Sequence, residues 1–169
     1  AGKIFPVVIF SPGFSEPIEN YENTITELVS HGYIVVGYSG SFMHLLELPN
    51  GHVVQPTRFK ECDDIKDPKA RGMCMYKIYE TKCRPQGIAD MSYILNKIKD
   101  SSIHHSTPIF SAMDLKHIGA FGHSMGGSTT VDIAHTHPEW LKAAVSLDAG
   151  HEKSFDESAP TFSKVAIPF

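Results

Sequence analysis

The sequence predicts an α/β domain with a mostly parallel sheet flanked by helices, and three observations carry that prediction. Short apolar, β-branched runs alternate along the chain with stretches whose apolar residues recur at helical spacing. The runs are apolar almost throughout, as expected of strands covered by helices on both faces. Each run closes on turn residues. Strand and helix in repeated alternation is the pattern of a parallel sheet with crossover helices.

Taken in order, "FPVVIF" (5–10) reads as a strand stopped by Ser11-Pro12-Gly13. Ile18, Tyr21, Ile25, Leu28 and Val29 then mark a helix ending near His31-Gly32, with His31 as its C-terminal cap residue. "YIVVGY" (33–38) is a second strand. An irregular insertion is expected at about 44–83. Ile88, Met91, Leu95 and Ile98 mark a second amphipathic helix, and "HIGAFG" (117–122) is a third strand followed by a helix through about His135. "AAVSLD" (143–148) is a fourth strand and "KVAIPF" (164–169) begins a fifth. We expect a single, partial domain over 1–169.

Composition excludes several function classes. The chain has 169 residues, enough for one core, and a formal net charge of −4 with its basic residues scattered. Without a basic stripe, nucleic acid is not an expected partner. No apolar run approaches the roughly 20 residues that span a bilayer. No signal peptide stands at the start, although Ala1 does not read as a native first residue. The three cysteines, Cys62, Cys74 and Cys83, share one polar stretch without a C-x-x-C pair, so a zinc site is not expected. One disulfide with a spare thiol would suit a secreted or periplasmic protein, and three thiols a cytoplasmic one. We expect export.

In such a sheet, ligands bind beyond the carboxyl ends of the strands. Just beyond the third strand lies Gly122-His123-Ser124-Met125-Gly126, a match to G-x-S-x-G between strand and helix. A serine on so tight a turn is held in a strained backbone conformation, and its neighbours two residues either side must lack bulk. The next helix then aims its N-terminus at the hydroxyl, which favours developing negative charge. A phosphate loop is the competing reading, but neither the Gly-Lys-Ser/Thr ending nor G-x-G-x-x-G is present. Ser124 is therefore the expected nucleophile. His123, adjacent in the turn, is expected to pack beneath it rather than act as the base.

The nucleophile needs an oxyanion hole and an acid. Met125 would donate one backbone N–H, and Phe14, in the loop after the first strand, the other. Asp148 ends the strand after the serine's helix, so it emerges on the same edge and would orient a histidine. An acid after the next strand is the rival. Asp132 reads as mid-helix, and Asp156 and Glu157 as solvated loop charges.

"FPVVIFSPGFS…ELVSHGYIVVGYS", "RPQGIADMSYIL", "HIGAFGHSMGGSTT" and "AAVSLDAG" together resemble the α/β-hydrolase superfamily. More narrowly they resemble the branch of platelet-activating factor acetylhydrolase (plasma and bacterial type) and of polyester hydrolases or cutinases. The resemblance implies an α/β-hydrolase fold, Ser124 as nucleophile, and Phe14 and Met125 as oxyanion donors. Leu147-Asp148-Ala149 matches the acetylhydrolase side, whereas polyester hydrolases take the acid one strand later. The resemblance also implies strands before Ala1 and a catalytic histidine in a C-terminal segment beyond Phe169.

Among the ten histidines, His151 stands on the correct edge but too near Asp148 in sequence to bridge acid and serine. His44 and His52 are expected to overhang the site from the insertion. His104-His105 and His135-x-His137 read as surface, without a third ligand for a metal. The expected function is a serine esterase acting on lipid or short acyl esters, with no cofactor. Phe14, Phe42, Met43 and Met125 would line its mouth, and transient contact with a lipid surface is compatible with it. A cutinase-like polyester hydrolase or general carboxylesterase is the same-fold alternative, and a non-catalytic binding protein the alternative of another class. Without its base, this chain alone is expected to be inactive.

Overall fold

The computed structural model describes residues 3–40, 43–100 and 107–149. Its centre is β1 (Phe5–Ser11), a strand of β-branched and aromatic residues that lies between two parallel neighbours and is buried over its last three residues. On one side runs β2 (Ile34–Gly37), reached through a 3₁₀ turn (Ile18–Tyr21) and α1 (Glu22–Ser30). α1 stops where His31 caps it through the Glu27 carbonyl and Gly32 turns the chain at φ 88°.

On the other side of β1 lies β5 (Met113–His123), and beyond it β6 (Ala143–Leu147), giving a four-stranded sheet in the order β2-β1-β5-β6 with all pairs parallel. This is the mostly parallel sheet with flanking helices that the sequence predicts. The register aligns the carboxyl ends: Ser11 pairs with Gly122, Gly122 with Ser146, and His123 with Leu147. The loops after β1, β5 and β6 therefore leave the sheet side by side.

Helices α3 (Arg84–Lys99) and α5 (Met125–Thr136) cover one face of the sheet. Met91, Leu95 and Ile98 of α3 and Ile133 and Ala134 of α5 pack on Val7, Ile9, Ile118 and Ala144. Each fully buried aliphatic side chain contributes about 1.5–3 kcal/mol, so this layer supplies most of the drive for assembly. Arg84 joins the two helices: its guanidinium holds the buried Asp132 carboxylate at 2.7 and 3.0 Å and Glu80 at 2.9 Å. Burial works against the Arg84 charge, but the bonds to Asp132 and Glu80 outweigh it and raise its pKa.

On the opposite face, among the described residues, α1 shields the side towards β2, while Val8, Phe121, Val145 and Leu147 line an apolar trough of about 660 Å³. Val145 and Leu147 are each 44% exposed.

Residues 44–83 also differ from the irregular segment expected. They hold a short antiparallel ribbon, β3 (Leu46–Glu47) and β4 (Val53–Val54), then α2 (Pro68–Ile78) and a π-helical turn (Tyr79–Cys83) that runs into α3. α2 escaped prediction because Met73, Met75 and Ile78 form no single stripe. Its start is set by Pro68 in the first turn and by the Asp67 side chain, which accepts from Ala70 N at 2.7 Å. A Cys62–Cys74 disulfide ties the preceding loop to α2, and Cys83 is a buried thiol. The short helix α4 (Pro108–Ser111) leads into β5. The expected fifth strand, 164–169, lies outside the described residues.

Candidate active site

Ser124 sits between β5 and α5 with φ 51° and ψ −117°, a conformation a non-glycine residue adopts only under constraint. The constraint is visible on both sides. A Cβ on Gly122 would overlap the Gly126 carbonyl group, and a Cβ on Gly126 would overlap the Ser11 and Pro12 carbonyls. The strand can thus turn into the helix, and the helix can press on the loop after β1, only with glycine at both positions. The Ser124 N–H donates to the Leu147 carbonyl at 2.8 Å, and the Ser124 carbonyl accepts from Ser128 N at 3.0 Å. Met125 opens α5, where first-turn N–H groups have no acceptor within the helix.

The loop after β1 is anchored at two amides. Gly13 N donates to the Tyr21 hydroxyl at 3.1 Å, and Ser15 N to the Met43 carbonyl at 2.9 Å, with Ser15 at φ 61°. The Phe14 N–H lies between them. The contact of Gly126 with the Ser11 and Pro12 carbonyls brings this loop against the start of α5, so the Phe14 and Met125 segments meet. Their side chains join one apolar cluster with Met43, Phe59, Cys62, Ile65 and Ile78. Met43 and Met125 are buried in that cluster beneath the insertion, instead of lining an open mouth as expected; Phe14, half-buried, stacks on Phe59 at 5.9 Å. Phe42 lies outside the described residues.

Asp148 follows β6 directly and is exposed, with φ 51°. Because Ser124 N bonds to Leu147 O, the acid candidate leaves its strand beside the nucleophile candidate.

The histidines take up other places. His44, expected to overhang the site, is 1% exposed: its Nδ1 accepts from Gly40 N at 2.8 Å and its ring stands edge-on to Tyr38. Burial pushes its pKa down, against the opposing influence of the Pro12 carbonyl and the Asp90 charge. The correction has a plain cause. The bond from Gly40 N and the edge-on contact with Tyr38 hold the ring inside the molecule, beside Asp90. His52 is exposed in the β3–β4 turn, and His137 stacks on Trp140 at 3.8 Å beyond the far end of α5. His123 bonds the Tyr21 hydroxyl at 2.8 Å through Nδ1. His104, His105 and His151, with Asp156 and Glu157, lie outside the described residues. Among the described residues, no group of three His, Cys, Asp or Glu side chains could hold a metal ion, and no helix is long and apolar enough to cross a membrane.

In the sequence, Tyr21 falls on the apolar stripe of the expected helix, and Ser11 and Tyr38 stand as a turn residue and a strand residue. Ser11 Oγ and the Tyr38 hydroxyl bond at 3.0 Å, and burial raises the Tyr38 pKa. Nothing local marks these residues, because their partners are distant in sequence.

An α/β sheet of this order, with a strained serine between its third strand and following helix, is the architecture of the α/β-hydrolase fold. A ferulic acid esterase from Streptomyces cinnamoneus shares that fold: its structure superposes with a TM-score of 0.60 at 23% identity, covering 88% of this chain and 38% of that one. A protein of Mycobacterium phage D29 named "Putative non-heme haloperoxidase" is 29% identical over 150 residues, or 84% of this chain. The chain spans about a third (35%) of that relative's length. No family model matches the chain.

Proposed function

We propose that this chain is the nucleophile-bearing part of a serine hydrolase of carboxylic esters. The single observation that carries the reading is Ser124 at φ 51°, ψ −117° between β5 and α5, with the Pro12-Gly13-Phe14 loop packed on the same turn. Ser124 attacks the ester carbonyl. The Phe14 and Met125 N–H groups receive the oxyanion, the alcohol departs, and water releases the acyl group. Asp148 orients a histidine base, from outside the described residues, that takes the Ser124 proton and passes it to the departing alcohol. The esterase whose fold this chain shares supports the ester chemistry.

Within that class, Leu147-Asp148-Ala149 favours an acetylhydrolase-like enzyme for lipid or short acyl esters, and the Cys62–Cys74 disulfide favours export. Cutinase-like polyester hydrolysis is the same-fold alternative. The protein at its native length should hydrolyse nitrophenyl acetate and be labelled by a fluorophosphonate, with both lost in Ser124→Ala. Absence of turnover and of labelling in the unaltered protein would leave a hydrolase-like binding module. Faster turnover of acetyl than of long-chain esters separates the acetylhydrolase-like reading from a lipase-like one.

A further inference from the structure

We infer that Tyr21 is a positioning residue that ties the nucleophile turn to the oxyanion loop through one chain of hydrogen bonds, from Gly13 N–H through the Tyr21 hydroxyl to His123 Nδ1. The inference rests on the acyl-transfer reading of the site.

The geometry is continuous. Gly13 N lies 3.1 Å from Tyr21 Oη, and Oη lies 2.8 Å from His123 Nδ1. The three residues also touch: a Cβ on Gly13 would come 3.1 Å from His123 Nδ1 and 3.3 Å from Tyr21 Oη. The phenol ring itself is fixed, standing edge-on to the fully buried Phe10 with ring centroids 4.7 Å apart. Phe10 in turn stacks on Phe121, two residues before His123.

An amide N–H only donates, so the Tyr21 oxygen accepts from Gly13. A phenol carries one donor and two acceptor sites, so the same oxygen bonds His123 Nδ1 at once, in the direction that the His123 tautomer sets. Both bonds converge on one atom, and that atom is the joint of the tether.

The consequence falls on Phe14. Glycine is the softest backbone position, and Gly13 immediately precedes the proposed oxyanion donor. Left untethered, it would let the Phe14 peptide plane swing. Tyr21 holds the N-terminal side of that plane, and the Met43 carbonyl, accepting from Ser15 N, holds the other. His123 is covalently next to Ser124, so the same chain keeps nucleophile and oxyanion donor in one frame.

Tyr21→Phe tests this, since it keeps the ring and its packing on Phe10 and removes only the hydroxyl. In the protein at its native length, kcat for nitrophenyl acetate should fall about 10-fold or more, with KM within about two-fold. His123→Ala should lose a similar factor. The double variant should lose no more than the larger single loss, because both changes break one chain. A second readout needs no turnover: amide hydrogen exchange at Gly13 should speed up about 10-fold in both single variants. Unchanged kcat and unchanged Gly13 exchange in Tyr21→Phe, or additive losses in the double variant, would overturn the inference. Undiminished turnover in Ser124→Ala would remove the acyl-transfer reading instead, and Gly13 exchange would still decide whether the tether exists.

Discussion

The Ser124 N–H donates to the Leu147 carbonyl at 2.8 Å, so the candidate nucleophile hangs from the strand that ends in the candidate acid. Both Ser124 and Asp148 sit at φ 51°, and the two turns leave adjacent strands on the same edge. If Asp148 orients the base, Asp148→Asn should lower kcat by about 10⁴-fold while leaving the fold intact. A loss below 10-fold in a kinetic assay of the native-length protein would move the acid to a later strand.

Ser124 carries strain that a glycine would relieve. At φ 51°, ψ −117°, Ser124→Gly should raise the free energy of unfolding by about 1 kcal/mol while abolishing fluorophosphonate labelling. Paired denaturant titrations and labelling gels check both halves, and a destabilised glycine variant would argue against a strained turn.

Gly126 tests the contact between helix and loop. Gly126→Ala would drive a methyl group into the Ser11 and Pro12 carbonyls, which are backbone and cannot rotate away. The expected cost is about 1–3 kcal/mol, as for other overpacked sites, with loss of turnover beyond what the lost stability explains. A crystal structure of a variant as stable as the parent, with the loop unmoved, would contradict it.

Asp132 is 4% exposed and held by two Arg84 nitrogens. Asp132→Ala removes the two charge-assisted bonds to the half-buried Arg84 guanidinium, which keeps Glu80, and should cost about 1–3 kcal/mol, read as a lowered urea midpoint. Because Arg84 also holds Glu80, the π-helical turn Tyr79–Cys83 should become more accessible to protease in the same variant.

His44 gives stability a dependence on pH. Burial lowers its pKa from the ordinary 6.5. The unfolded chain therefore binds the proton more readily, so the stability His44 confers is whole above about pH 7 and falls as the pH drops through 6.5 towards the folded value. Thermal melts between pH 7.5 and pH 5.5 should show a decline that is shallower in His44→Asn, whose side-chain oxygen can still accept from Gly40 N. Parallel declines in the two proteins would sink the assignment.

Much of the layout was legible in residue order. The runs at 5–10, 33–38, 117–122 and 143–148 are strands within a few residues of the expected bounds, and His31 caps α1 as expected. β5 begins earlier, at Met113, because Phe5 and Pro6 of β1 pair with Met113 and Asp114 across a bulge. The site was half legible. Ser124, Phe14, Met125 and Asp148 reach one edge because each comes within three residues of a strand's end, and strand ends can be read locally. His44 was misplaced and Tyr21 overlooked, since neither shows in its own neighbourhood what it will meet.

Outside the insertion, the sequence by itself determined which segments become the strands and main helices, that the sheet is parallel, and where a serine must turn sharply between Gly122 and Gly126. Those are properties of neighbours a few residues apart: apolar spacing, β-branching and the absence of a Cβ. Only the tertiary structure decided the order β2-β1-β5-β6, the apolar trough on one face, the helical insertion over Met125, and the bond between Tyr21 and His123, which stand 102 residues apart. Strand register and helix packing bring such residues within 2.8 Å, and no local pattern encodes that meeting.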